Sequence, residues 1–404
     1  MQKTLYICYF GLREPLVQTQ VLPYLREIGK SENLKVSLLT FEPDFEQKWT
    51  TEQVKAEKQT LSAENIDWHH LAYHKRPSAP ATLYDVLNAA RFIRKLSRRQ
   101  KIDVLHARAH IPMLMALVAA KFTKSRMVFD IRGLMAEEYA DSGVWQENSK
   151  PFRFVKYIER KGIENASQIV VLTKRMRDYL VENNLKKSEN IEIIPCCVDF
   201  SRIAQAGEVK KSERFELIYA GSITGLYLLR EMGNFFLELK KLKPDAFFRI
   251  LTASPSETVR ETFSELEIGE NDYAVAKVSP AEIPKYLKQA HLGISFRKPT
   301  FSQIAASPTK IPEYLACGLP VVANYGIGDT DFLLESEKVG ICLKNFNQNE
   351  MAKAAKDIIK LLSENGIEGK CVKVAHKSFD LSSVGGENYR NVYRRLLAGN
   401  VSTD

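Results

Sequence analysis

Across 404 residues, no apolar run approaches the ~18 residues that a membrane-spanning helix needs, so the sequence reads as soluble or peripheral. Cysteine is sparse: Cys8, Cys196, Cys197, Cys317, Cys342 and Cys371 lie mostly in apolar runs, with no CxxC and no zinc spacing. Such a scatter fits small buried thiols in a reducing compartment and argues against a disulfide framework or a structural metal. The opening MQKTLYICYFGLREPL lacks a cleavage-site pattern and reads as a first strand, not as a signal peptide. The loop after it, residues 11–20, has no GxGxxG, so a dinucleotide cofactor is not indicated. No nucleic-acid-binding motif accompanies the net charge of +9, and nucleic acid is not an expected partner.

What is present is charge of one sign in particular places. Arg91, Arg94, Lys95, Arg98, Arg99 and Lys101 form a basic run. A solvated helix face accounts for such a run; contact with anionic lipid head groups or a phosphorylated acceptor is the sharper alternative. FRFVKYIERK at 152–161 mixes apolar and basic residues at helical spacing. Core packing with a solvated back face is its default reading, and a membrane-facing surface is the alternative if the acceptor carries a lipid.

The dominant pattern is a short β-branched run, a helical stretch, then another run. Strands are expected at 5–10, 35–41, 68–74, 104–107, 127–131, 169–172 and 191–194, with helices at 21–29, 83–99, 112–122 and 152–165. A charged segment, AQAGEVKKSER at 204–214, has no apolar periodicity and reads as a linker. The series then restarts with strands at 215–220, 247–252, 273–277, 292–296 and 320–323. Alternating strands and helices imply parallel sheets covered on both faces. The expected fold is therefore α/β, with two Rossmann-like doubly wound domains facing across a cleft. Residues 1–205 form the first, 206–383 the second, and 384–404 a C-terminal helix that crosses back.

The most informative stretch runs from Phe296 to Glu335. It reads as a strand, a polar loop, a helix starting near Ser307 and ending at Gly318, a second strand, and a glycine-bearing loop. Ser307, Pro308 and Thr309 make a good helix start: Ser caps, Pro suits the first position, and Thr adds a hydroxyl. Free amides there favour an anion, Lys310 adds a charge, and Glu313 offers an acceptor for sugar hydroxyls one turn on. That set suits a nucleoside diphosphate; an ordinary capped helix with Lys310 and Glu313 in solvent is the plainer account. Asp329 and Asp331 have DxD spacing, but a helix start before the apolar run 332–334 is the better reading, and no metal is expected.

SPTKIPEYLACGLPVVAN followed by GIGD resembles the donor-binding segment of the retaining glycosyltransferases of family four. Supporting similarity runs in order through DVLHARAHIP at 103–112, VVLTKRM at 170–176, IIPCCVDFSRI at 193–203 and LIYAGSITGLYLL at 217–229. The resemblance implies a GT-B fold and a nucleoside-diphosphate sugar as donor substrate, with no separate cofactor. It places the ribose on Glu313 and the diphosphate on Ser307, Pro308, Thr309 and Lys310, with Gly221 and Ser222 in the phosphate-facing loop. It also implies transfer of a hexosyl or related sugar with retention, to a glycan or lipid-linked acceptor, without a dedicated base. Leaving-group charge is then met by cations and amides. Arg132, Lys310 and Arg297 are the candidates for that role.

Three departures from the family pattern stand out. Ala305 occupies the position of the family's first glutamate. Ser222 to Tyr227 replaces the usual Arg and Lys after the glycine loop, and Asp130-Ile-Arg-Gly133 stands where a histidine is frequent. With QTQVLPYL at 18–25 and FDIRG at 129–133, these features are similar to a subgroup making bacterial surface polysaccharides. Gln18, Gln20, Asp130, Glu137 and Glu138 are candidate acceptor-side residues, and His110 is a candidate contact to donor or acceptor. His69 and His70 fall on opposite faces of a strand, so His69, His70 and His74 are not expected to share a ligand. The expected location is cytoplasmic, peripheral on the inner face of the membrane. Two alternatives remain open: a sugar-nucleotide 2-epimerase, and a degenerate non-catalytic homologue that binds a glycan or partner.

Overall fold

The computed structural model describes residues 2–31 and 33–398; residues 399–404 of the expected C-terminal segment lie outside it. The chain divides into two units. One gathers the residues up to Glu137, Trp145–Ile194 and those from Leu381 onward; the other holds Glu138–Val144 and Pro195–Asp380.

The first unit has a seven-stranded sheet: β1 (Gln2–Cys8), β2 (Leu34–Pro43), β3 (Ile66–Tyr73), β4 (Val104–Arg108), β5 (Arg126–Asp130), β6 (Gln168–Val171) and β7 (Ile191–Ile193). All neighbours are parallel, in the order 3-2-1-4-5-6-7. β2, LKVSLLTFEP, is buried along almost its whole length, as a strand covered on both faces must be. The helix Glu387–Ala398 belongs to this unit, and Tyr389, Val392 and Tyr393 on it are buried.

The second unit repeats the plan with β8 (Glu216–Ala220), β9 (Phe247–Leu251), β10 (Tyr273–Ala276), β11 (Leu292–Ser295), β12 (Val321–Asn324) and β13 (Gly340–Leu343). Their order is 10-9-8-11-12-13, again parallel throughout. Its core packs Phe235, Phe236, Phe248 and Phe263 from the crossover helices and strands around Tyr219, Ile294 and Tyr314. The expectation of two doubly wound domains is met. In each sheet the chain reverses its direction of strand addition at one point, between β1 and β4 in the first and between β8 and β11 in the second. Ligands of open α/β sheets bind outside the carboxyl ends of the strands at such a point.

Candidate functional site

At the carboxyl end of β8 the backbone turns through Gly221 at φ +139°. A Cβ there would lie 3.2 Å from the Lys310 ammonium, so glycine at 221 both permits the turn and leaves room for that cation. The loop returns along the segment after β11: Lys298 N–H donates to Leu226 O at 2.8 Å, and Tyr227 pairs with Arg297. Asn324, the last residue of β12, fixes Arg297 from the other side. Its Oδ1 accepts from Arg297 N–H and its amide donates to Arg297 O, each at 2.9 Å.

This frame gathers two cations on one aromatic ring. Lys310 Nζ lies 4.0 Å from the Tyr227 ring centroid and 4.9 Å from that of Tyr219; the Arg297 guanidinium is 4.9 Å from Tyr227. Lys310 is 4% exposed, yet neither it nor Arg297 is in an ion pair among the described residues, and Arg297 Nε is buried without a hydrogen-bond partner. Burial, and then Arg297, hold Lys310 below the usual lysine range, while Lys310 draws the Tyr227 phenol below its usual value. Two cations with no ion pair among the described residues, at the point where the sheet reverses its order of strands, have the chemistry to receive an anion.

Glu313 stands one turn beyond Lys310, half-buried, its carboxyl raised by burial against the pull of Arg202 and Lys310. Its carboxylate makes no hydrogen bond among the described residues, which leaves it available to hydroxyls.

The helix start differs from the sequence expectation. The helix is Lys310–Ala316, three residues later than Ser307, and Thr309 at its N-cap makes no side-chain cap. Ser307 Oγ instead accepts from the Cys196 N–H at 3.1 Å, and Pro308 O takes the Ile311 N–H at 3.1 Å. With that amide already engaged, the fixed side-chain charges carry the case for an anion, not the cap. Thr309 is exposed at the same rim, and Ala305 is buried. The far end follows the expected pattern. Gly318 adopts φ +78°, its N–H donates to Leu315 O at 3.0 Å, and Leu319 N–H donates to Tyr314 O at 2.9 Å, a Schellman stop.

Ser222 accepts the Tyr219 hydroxyl on its backbone oxygen, which holds the loop beside the cations. Asp329 sits at the N-cap of the helix Thr330–Ser336. Asp331 takes the Gly326 N–H at 2.9 Å and the Phe332 N–H at 2.7 Å, shaping the glycine turn.

In the first unit several candidates are inward-facing. Asp130 is fully buried; its Oδ2 accepts from Tyr389 at 2.9 Å and from Tyr6 at 3.5 Å. Arg108 and Arg132 lie 3.6 Å from its two oxygens, and His106 at 3.8 Å. Burial alone would raise this carboxyl, but Arg132, His106 and Arg108 together hold it well below the usual range. Asp130, expected on the acceptor side, is thus enclosed among Arg108, Arg132, Tyr6 and Tyr389. Arg132, expected as a catalytic cation, shares that cluster with its side chain 11% exposed. His110 is likewise enclosed, 1% exposed and 3.0 Å from Glu159, which burial opposes and His110 and Lys156 keep charged. A substrate contact from His110 is replaced by a buried pair. Glu137 binds Lys156 at 2.6 Å; Glu138, grouped with the second unit, lends its backbone oxygen to Ser142. Gln18 is exposed and ties its own loop through Leu12 O at 2.7 Å, whereas Gln20 is buried.

The sequence reading missed Tyr219, Tyr227 and Asn324. The first two are visible in hindsight as tyrosines flanking the glycine loop, and the third as the polar residue ending the apolar run PVVAN.

Residues 36–202 match the model of Glycosyltransferase Family 4. No curated protein matches the chain in sequence. Among solved structures, sucrose-phosphate synthase from Thermosynechococcus elongatus superposes at TM-score 0.72 with 12% identity, covering 99% of this chain and 100% of that one. A glycosyltransferase from Rickettsia africae gives 0.70 with 16% identity over 98% of each chain. Anabaena HepE in complex with UDP gives 0.65 with 14% identity, covering 98% of this chain and all of that one. At these identities the likeness is one of fold, the two-domain GT-B arrangement.

Proposed function

We propose that the chain is a glycosyltransferase that moves a sugar from a nucleoside-diphosphate donor to a glycan or lipid-linked acceptor. The observation that carries this reading is the uncompensated Lys310–Arg297 pair beside Gly221 at the switch point of the second sheet. In this reading Lys310 and Arg297 receive the diphosphate, with Ser222, Ser307, Pro308 and Thr309 around it, and Glu313 takes the ribose hydroxyls. As the glycosidic bond breaks, charge grows on the leaving diphosphate, and two fixed cations in a poorly solvated setting stabilise it. Retention without a dedicated base or metal follows from the family resemblance. The UDP in the HepE complex makes uridine the first base to try.

Thermal unfolding with UDP, GDP, ADP and CMP tests this, for wild type, Lys310→Met and Glu313→Ala. A ligand at ~100 times its Kd adds about 2.7 kcal/mol. One diphosphate stabilising the wild type clearly more than either variant supports the site; no shift with any of them removes it. Product analysis then separates transfer, which frees nucleoside diphosphate, from epimerisation, which isomerises the sugar nucleotide.

The same reading places the first unit against a membrane. The helix Ser78–Gln100 exposes Leu83, Tyr84 and Leu87 and then Arg91, Lys95, Arg98 and Arg99, an apolar-to-basic stripe suited to anionic lipid. No helix among the described residues is long and apolar enough to cross a membrane. Co-sedimentation with phosphatidylglycerol but not phosphatidylcholine vesicles, lost on Arg91→Glu with Lys95→Glu, is the expected result; equal pelleting with both would refute it.

A further inference from the structure

The carboxyl end of the first sheet holds a second constellation that the donor chemistry does not use. Tyr9 follows β1 and His74 follows β3, and both reach Asp85 on the helix Ser78–Gln100. Tyr9 OH donates to Asp85 Oδ2 at 2.7 Å, the His74 N–H donates to the same oxygen at 3.1 Å, and His74 Nδ1 lies 2.5 Å from Oδ1. Asp85 is fully buried, whereas the His74 side chain is 43% exposed. A carboxylate enclosed by three donors is thus used to hold a ring that faces solvent.

The arrangement settles the chemistry of that ring. A carboxylate accepts, so Nδ1 carries the proton, and in the neutral form of the ring the lone pair is then on Nε2. Nε2 has no partner among the described residues. Burial, and then the hydrogen bond to Asp85, push the Tyr9 phenol far above its usual value, so it remains a donor and the carboxylate remains committed. Tyr9 is itself wedged between Phe41 and Tyr73, with ring centroids at 4.8 and 5.2 Å. The Tyr84 ring stands edge-on to His74 at 5.0 Å and is 57% exposed, which puts an open apolar face beside the free nitrogen. Tyr9 and the His74 backbone N–H both fall on Oδ2, so the imidazole Nδ1 serves the buried Oδ1, and the same contact fixes which ring nitrogen is turned away from Asp85.

We propose that His74 is an acceptor-binding residue, its Nε2 accepting a hydrogen bond from a hydroxyl of a sugar ring packed against Tyr84. This rests on the glycosyl-transfer reading and gives the acceptor a named contact on the first sheet. Asp85 and Tyr9 are positioning residues that act through His74.

The test is an NMR titration of ring-¹⁵N-histidine protein with the methyl glycosides of glucose, galactose, mannose and N-acetylglucosamine. The His74 Nε2 resonance, assigned by its loss in His74→Asn, shifts with at least one of them. His74→Asn keeps a donor near Nδ1 but nothing at Nε2, and it weakens that binding about tenfold, the scale of one hydrogen bond. His74→Gln, whose amide oxygen can stand where Nε2 does, recovers part of the affinity. UDP-induced stabilisation is unchanged in both variants. No shift with any glycoside, or equal binding by His74→Asn and wild type, would overturn the proposal. Glycoside binding without a UDP shift in the wild type would instead sink the transferase reading and leave His74 in a sugar site.

Discussion

Both sheets gather cations at their carboxyl ends, but they treat them in opposite ways. In the first unit Arg108, Arg132 and His106 surround Asp130, and tyrosines from β1 and the C-terminal helix both donate to its Oδ2. The cluster is enclosed and ion-paired, with two guanidiniums sharing one carboxylate. In the second unit Lys310 and Arg297 are in no ion pair among the described residues; they lie over the faces of Tyr227 and Tyr219, and Lys310 is further held by the Tyr227 hydroxyl and the field of Glu313. An aromatic face stabilises a cation by about 0.5–2 kcal/mol, less than a charge loses on burial. The same strand order therefore carries an ion-paired cluster in one unit and, in the other, a cation pair that the proposed diphosphate would complete.

Mutations that remove one charge from each cluster sharpen this contrast. The largest effect is expected for Asp130→Ala, which strands two arginines and costs about 3–5 kcal/mol in urea unfolding. Because the Asp130 carboxyl is held below its usual range, its contribution is present above about pH 4 and is lost as pH falls through the depressed value. Asp130→Asn therefore flattens the acid limb of the stability profile. Lys310→Met has the opposite sign without ligand, raising stability by about 1 kcal/mol, while costing about 1.5–3 kcal/mol of UDP affinity by calorimetry. In the wild type that affinity declines as pH rises, starting below the ~10.4 of an ordinary lysine, since burial and Arg297 depress Lys310. A Lys310→Met protein that is less stable than wild type without ligand would erase the contrast. Glu313→Gln is expected to lose about 1 kcal/mol of affinity for UDP and none for inorganic diphosphate, which carries no ribose. Smallest is Ser307→Ala, about 0.5–1 kcal/mol of stability from the lost Cys196 bond, with UDP binding nearly unchanged.

How much of this was legible depends on the distance over which each feature is encoded. The buried strands announce themselves locally: β2 and β12 are short runs rich in apolar and β-branched residues, and both are legible in the sequence. The helix Thr51–Ala63 was not, because TEQVKAEKQTLSA buries only Leu61 and has no apolar stripe. β13 is four residues long and was also missed. Lys310 and Glu313 were legible from one short motif, but the absence of a counter-charge was not, since it depends on Asn324 holding Arg297 across the sheet. The Asp130 cluster is the least local of all. Sheet register sets Tyr6 beside His106 and Arg108 beside Asp130, and no spacing in the sequence reveals those neighbours.

The crossing of the C-terminal segment back into the first unit sets an order of completion on the ribosome. The ends of the second unit meet, with Val198 N–H donating to Phe379 O at 2.8 Å and Val198 bridging Asp380. Its core is therefore available as soon as residue 380 has emerged. Tyr389, which donates to Asp130, follows that aspartate by 259 residues, roughly 13–50 s of synthesis at 5–20 residues per second. The half of the protein begun first is the half finished last, and throughout that interval Asp130 and its arginines wait on the nascent chain without Tyr389.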